Sequence, residues 1–245
     1  MSKVNIRDSV RRTEDIRFVS GQGSYIDDMN VDGQLIGMFV RSPHAHAAIN
    51  GFDKTDALAL DGVVDVITGV DWAELGFGVI PTNSAVKENA DGTPIAVPER
   101  PCLAATRVRF VGEAVAMVIA ETMDAAREAR ELVEVDYAPL DAVTHPVKTL
   151  EPNAPLLHDG IDGNLCVYWE LGDGDATETE LAACDHLVTL ELHNNRVTAA
   201  PIEPRGALAI PDTETGVTTI YQATQNIHAL RAAMAKILGL ENDQL

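Results

Sequence analysis

The sequence predicts an α+β fold in two successive units, on three observations. QLIGMFVRS at 34–42 alternates as a half-buried strand does, residues 107–143 read strand, helix, strand, and 206–224 read as a hairpin running into an amphipathic helix. A chain of 245 residues with 46 % hydrophobic content can bury cores of ordinary size. Its formal net charge of −20 argues against a nucleic-acid backbone or an anionic membrane as partner, because either would repel an acidic surface. Solubility is the plainer meaning of that charge. Cys102, Cys166 and Cys184 form neither a CxxC metal pattern nor an even disulfide framework, so a cytoplasmic location is expected. No apolar run approaches the roughly twenty residues of a membrane span, and MSKVNIRDSVRRTEDIRF lacks the apolar core of a signal peptide.

Taken in order, residues 1–17 are charged and aperiodic and read as a mobile arm. A first strand follows from Gly33, and SPHAHAAINGFD is a polar turn into a second. Thr55 or Asp56 caps a brief helix through Leu60, and GVVDVITGVD reads as one continuous buried strand. Residues 76–101 carry four prolines, several Gly and Asn breakers and no periodicity, which is a long loop. RVRFVGEAVAMVIA is a strand pair or one long strand. The helix after it, capped by Thr122 or Asp124, puts Ala125, Ala126, Ala129, Leu132 and Val133 on one face to cover a sheet, and VEVDYAPLDAV returns as strand, completing a β–α–β unit.

The Pro-, Gly- and Asp-rich stretch around 146–165 reads as a linker between a first domain over 18–145 and a second over 166–245. In the second, CVYWELGD leads to an acidic helix near 177–184, DHLVTLELHNNRV alternates as a strand, and GALAIPDTETGVTTIYQAT is a hairpin across a Thr-Gly turn. The final helix, about 228–238, aligns Ile227, Leu230, Met234, Ile237 and Leu238, with Gly239 suited to the left-handed position past its end.

Several residues invite a chemical reading. His44 and His46, two apart, would share one face of a strand within reach of one metal, but no third ligand lies near, and a turn or packing role outweighs coordination. Gly112 in FVGEAV suits a turn or a tight backbone approach better than a phosphate loop. GDGDATETE at 172–180 lacks the spacing of a calcium loop and reads as a solvated entry to a helix. Glu203 and Arg205 in APIEPR either pair with each other or face a cofactor, with a structural role favoured. Gln225, at a strand-to-helix turn, is placed either as a ligand contact or as a helix cap, and chemistry alone favours the cap.

The ordered series RRTEDIRFVSGQGSYIDD, FVRSPHAHAAI, VGEAVAMVIAET, ELVEVDYAPLDAV and ATQNIH resembles the start of a molybdenum-binding large subunit of the xanthine dehydrogenase/aldehyde oxidase family, in its carbon monoxide dehydrogenase-like branch. The resemblance covers about residues 12 to 245 and implies an α/β hammerhead domain followed by the beginning of a molybdenum cofactor-binding α+β domain. It implies a molybdenum–pterin cofactor, as molybdopterin cytosine dinucleotide, with most of its contacts outside this chain. In the family a glutamine hydrogen-bonds an oxo ligand of the molybdenum, and the matching position is Gln225, which the resemblance makes both a catalytic and a cofactor-binding residue. No residue is expected to ligate a metal directly.

The family's reaction inserts a water-derived oxygen at an electrophilic carbon, with a glutamate as general base that lies outside this chain. The chain alone is therefore expected to be inactive. The resemblance implies as partners an FAD-binding medium subunit, a 2Fe-2S small subunit and the remaining molybdopterin-binding chain, assembled as a dimer of heterotrimers. APIEPR resembles the substrate-diverse relatives more than the carbon monoxide enzymes, which points to an aldehyde or N-heterocycle. Two other functions fit the same residues: a short subunit of a split hydroxylase, and a non-catalytic binding or assembly module with a hammerhead domain. An unpaired sheet edge or exposed apolar face beyond residue 165 would favour the enzyme readings, and a closed polar surface the module. The loop 76–101 is a candidate for part of a substrate-channel wall, with an ordinary surface or subunit-contact loop as well motivated.

Overall fold

A computed structural model describes residues 12–195 and 197–245 and gives a mixed α+β architecture. Most of the expected arm, residues 1–11, lies outside the described residues. Where the arm was expected to run on aperiodically to residue 17, a short exposed helix α1 forms at Asp15–Val19. Its first and last turns carry Asp15 and Arg17, and Arg12 Nε donates to Asp15 Oδ1 at 3.0 Å, so local charge supports it where periodicity is absent.

Two three-stranded antiparallel sheets build the first unit. Strands β1 (Ile36–Arg41), β3 (Val63–Thr68) and β5 (Ala114–Ala120) form one in the order β1-β5-β3, while β2 (Ala47–Asp53), β4 (Arg107–Val108) and β6 (Glu134–Pro139) form the other in the order β4-β2-β6. The stretch 107–120 is thus a strand pair, and its two strands go to different sheets because the chain turns at Gly112, where φ is +89°. Gly112 N–H donates to Ser42 O and its carbonyl accepts from Arg41, both at 2.8 Å. Helix α4 (Met123–Leu132) is capped by Thr122, whose Oγ1 accepts the Ala125 N–H at 3.1 Å, and packs against β1 and β5. Ala126 and Ala129 are fully buried there, small enough to let the helix lie close on the sheet, and Ala129 joins the core that holds Val66 and Val118. Because β5 and β6 belong to different sheets, the strand–helix–strand unit connects sheets and is not a parallel crossover within one.

Two local expectations give way. The buried run 62–71 ends as strand at Thr68 and continues as helix α3 (Gly69–Glu74), because Thr68 and Asp71 form a capping box. Helix α2 (Thr55–Ala59) has no side-chain cap from Thr55 or Asp56; Asp53 Oδ1 accepts the Thr55 N–H instead, at 2.9 Å.

In the second unit, α5 spans Gly174–Ala182, three residues earlier than its sequence suggests, because Asp173 takes the cap by accepting the Ala176 N–H at 2.9 Å. Strands β7 (Ala207–Pro211) and β8 (Thr218–Gln222) form the expected hairpin, and α6 spans Ile227–Leu238 with Gly239 left-handed at its end. The expected strand at 185–197 is not formed among the described residues. Its alternation is present, but Leu187, Val188, Leu190 and Leu192 face solvent with no strand beside them, and an unpaired strand has no ladder to hold it.

The long loop 76–101 is tied at several points. Ala90 N–H donates to Tyr168 O at 2.8 Å, Ala96 N–H to Cys166 O at 3.0 Å, and the tip turns at Asp91-Gly92. It reaches α6 as well, through a 2.6 Å bond from Gly78 N–H to Ile237 O. Among the described residues no helix is long and apolar enough to cross a membrane.

Candidate functional site

Helix α6 has twelve residues, and its N-terminus emerges directly from the β7–β8 hairpin. Asn226 is its cap: the side-chain carbonyl accepts the Ala229 N–H at 3.0 Å, and Asn226 N–H in turn donates to Thr224 Oγ1 at 3.3 Å. The capping role that chemistry alone favours for Gln225 therefore belongs to its neighbour. Gln225 stands just outside the helix, exposed, with no hydrogen bond from its side chain to any described residue. The first turn of α6 carries no acidic side chain, so its own residues leave the partial positive charge of the helix end unneutralised. A free amide donor beside such an end suits an electron-rich acceptor, an anionic metal–pterin group among them.

The other sequence candidates resolve into structure. His44 packs its ring on Tyr137, centroids 4.9 Å apart, and buried His46 donates from Nδ1 to Asp141 O at 2.7 Å, leaving Nε2 without a partner. Glu203 accepts the Ile26 N–H at 3.3 Å, joining the second unit to the segment before β1, and no pair with Arg205 forms. Glu203 and Arg205 thus stand apart from Gln225 in their contacts. The acidic run at 172–180 is the solvated start of α5. Among the described residues no group of three or more His, Cys, Asp or Glu side chains is placed to hold a metal.

Two clefts flank these elements. One, of about 490 Å³, lies between the base of the long loop and the linker and is lined by Trp72, Cys102, Arg107, Arg109 and His158. Burial, then the Arg109 guanidinium, holds His158 below its ordinary value and favours the neutral imidazole, while burial pushes the Cys102 thiol up and so does not activate it as a nucleophile. The larger, between β1 and β7, is lined by residues of both units, apolar ones such as Phe39, Met117 and Leu208 together with the charged Asp32, Arg130 and Arg205. Gln225 lines neither cleft. Sequence reading missed the Asn226 cap and the Gly78 contact with α6; the Asn-x-x-Ala start of the helix was a usable signal for the first, whereas nothing local marks the second.

The sequence carries two family matches: the aldehyde oxidase and xanthine dehydrogenase a/b hammerhead domain over residues 20–141, and the molybdopterin cofactor-binding domain over residues 157–245. It is 34 % identical over 247 residues to the carbon monoxide dehydrogenase large chain of Afipia carboxidovorans, covering 96 % of this chain and 29 % of that one. It is also 34 % identical over 235 residues to the nicotine 6-hydroxylase large subunit of Paenarthrobacter nicotinovorans, covering 96 % and 28 %. Quinoline 2-oxidoreductase from Pseudomonas putida 86 superposes with a TM-score of 0.81 at 34 % identity, over 96 % of this chain and 29 % of that one. The chain spans less than a third of the length of these relatives.

Proposed function

Because this chain belongs to the xanthine dehydrogenase/aldehyde oxidase family, we infer that it supplies the N-terminal part of the large subunit of a molybdenum hydroxylase. That enzyme oxidises an aldehyde or an N-heterocycle with oxygen from water, and electrons leave through 2Fe-2S and FAD partners in the cytoplasm. The first domain runs over 18–145, the linker over 146–165, and the second domain from 166. The free Gln225 amide at the N-terminal end of α6 carries the reading, because it is an exposed donor beside the Asn226-capped turn that no hydrogen bond engages among the described residues. When bound, the molybdopterin cytosine dinucleotide would supply the two-electron oxidation, and Gln225 would offer an N–H to its acceptor atoms. Nicotine and quinoline in the names of two relatives support an N-heterocycle as readily as an aldehyde.

The exposed apolar strip at 187–192 supports the enzyme reading over a free-standing module, since such a module would cover it. It also supports a polypeptide partner carrying the rest of the pterin site. In this reading the heterotrimer of large, medium and small subunits pairs into a dimer.

The test is the intact mass and molybdenum content of the complex purified through this chain, followed by dye-coupled oxidation of benzaldehyde, quinoline and carbon monoxide. Stoichiometric molybdenum with companion polypeptides, and turnover of benzaldehyde or quinoline, is the expected result. A single metal-free species would overturn the hydroxylase assignment, and turnover of carbon monoxide alone would overturn the substrate class.

A further inference from the structure

Helix α6 is gripped at one end. Ala235 is its one buried residue, and the half-buried positions cluster in its second half, at Ala233, Met234, Ile237 and Leu238; toward the N-terminus Leu230 alone is half-buried, and Ile227 is largely exposed. The turn at Asn242–Gln244 packs on this end, and the tie to the first unit comes from the base of the long loop. Gly78 N–H donates to Ile237 O at 2.6 Å, supplying a partner for one of the carbonyls that a helix C-terminus leaves open. Gly78 O accepts from the Trp72 indole Nε1–H at 3.0 Å, and the Trp72 ring packs on Phe77 with centroids 4.7 Å apart. The approach is close enough that a Cβ on Gly78 would lie 3.3 Å from Ile237 Cα and 3.4 Å from Ile237 O, so a methyl group already crowds the helix by a few tenths of an ångström and a branched side chain pushes loop and helix apart.

We propose that Gly78 is a positioning residue for Gln225: it clamps the C-terminal end of α6 to the first domain and so fixes where the helix presents the amide at its other end. This rests on the reading of Gln225 as a donor to the cofactor. Twelve helical residues span about 18 Å, so a tilt of about 3° at the clamp moves the N-terminus by about 1 Å, a displacement that can cost about 100-fold in an aligned site.

The experiment uses the assembled enzyme purified through this chain, with Gly78→Val, Trp72→Phe, Gln225→Ala and the Gly78→Val/Gln225→Ala double variant. Two readouts need no substrate: hydrogen exchange of amides 229–232, and the electron paramagnetic resonance spectrum of molybdenum in the dithionite-reduced enzyme. Gly78→Val should speed exchange of those amides at least tenfold, keep molybdenum content, and shift the spectrum in the same direction as Gln225→Ala. Added to Gln225→Ala, it should speed exchange but leave the spectrum where Gln225→Ala put it. Trp72→Phe, which removes the indole donor to Gly78 O and shrinks the ring packed on Phe77, should reproduce a weaker form and stands in for Gly78→Val if that variant does not assemble. Faster exchange with a wild-type spectrum would overturn the positioning role, as would a further spectral shift in the double variant. An unchanged spectrum in Gln225→Ala would instead overturn the reading of Gln225, and Gly78's role toward it would fall with it, even if the exchange data still showed the clamp.

Discussion

Adjacent amides do different jobs at the start of α6. Asn226 spends its carbonyl on the Ala229 N–H, so replacing it with Ala should cost about 1 kcal/mol of stability, read as a lower midpoint in chemical unfolding. Gln225 makes no such bond, so Gln225→Ala should leave stability and molybdenum content nearly unchanged while lowering turnover about 100-fold, as loss of one preorganised donor does. Turnover equal to wild type at equal molybdenum content would end that assignment. A third side chain, Glu113, is a buried carboxylate whose Oε2 accepts the Arg109 N–H at 2.5 Å. Burial pushes its carboxyl above the ordinary value, with that backbone bond and the Arg109 charge opposing. A raised folded pKa means the stabilising contribution is full below the unfolded value and is lost as pH rises through the folded one. Glu113→Gln should therefore flatten the fall of the melting temperature over that window, and an unchanged slope would show that Glu113 does not titrate there.

At the level of elements, α3 shows what a short helix needs. Thr68 Oγ1 accepts the Asp71 N–H at 3.2 Å, and Asp71 Oδ2 receives the Thr68 N–H at 2.7 Å and the Lys54 ammonium, also at 2.7 Å. Burial resists ionisation of Asp71, but the Lys54 and Thr68 hydrogen bonds outweigh it and hold its carboxyl below the ordinary value. Thr68→Ala should cost about 1 kcal/mol, and Gly69→Ala more, since an added Cβ would collide with the Ala104 carbonyl; denaturant titration of both variants checks the order. This helix was hidden in the sequence because its six residues are too few to show periodicity beside the β-branched run VVDVIT. By contrast, α4 was legible from Ala126 and Ala129 three apart and from Thr122 before them. The β7–β8 hairpin was legible from Thr215-Gly216, where Gly216 takes φ of +74°. Assignment of β5 and β6 to separate sheets was not legible, because pairing with partners as distant as Ala47 and Pro139 leaves no mark on either strand. The position of Gln225 was readable as a turn, but its freedom depended on which neighbouring amide took the cap.

For the molecule as a whole, the segment 185–197 poses the sharpest question. Val188, Leu190 and Leu192 share one face of any extended conformation, with Thr189, Glu191 and His193 on the other, so the pattern is that of a strand with one buried side. In the described chain Val188 is 89 % and Leu190 75 % exposed. Covering each such side chain is worth about 2 kcal/mol, and an extended segment also offers its backbone N–H and C=O groups to a neighbour, which is the chemistry of strand addition. A polypeptide that adds a strand here would gain both terms at once. In the assembled enzyme, amides 187–192 should therefore exchange at least a hundredfold more slowly than exposed amides of the α5 surface. Leu190→Asp, which places a charge on the apolar face, should lower the yield of molybdenum-containing complex severalfold, whereas Glu191→Gln on the opposite face should not. Fast exchange at 187–192 in a molybdenum-replete complex would mean that the strip stays open and that the partner polypeptide docks elsewhere.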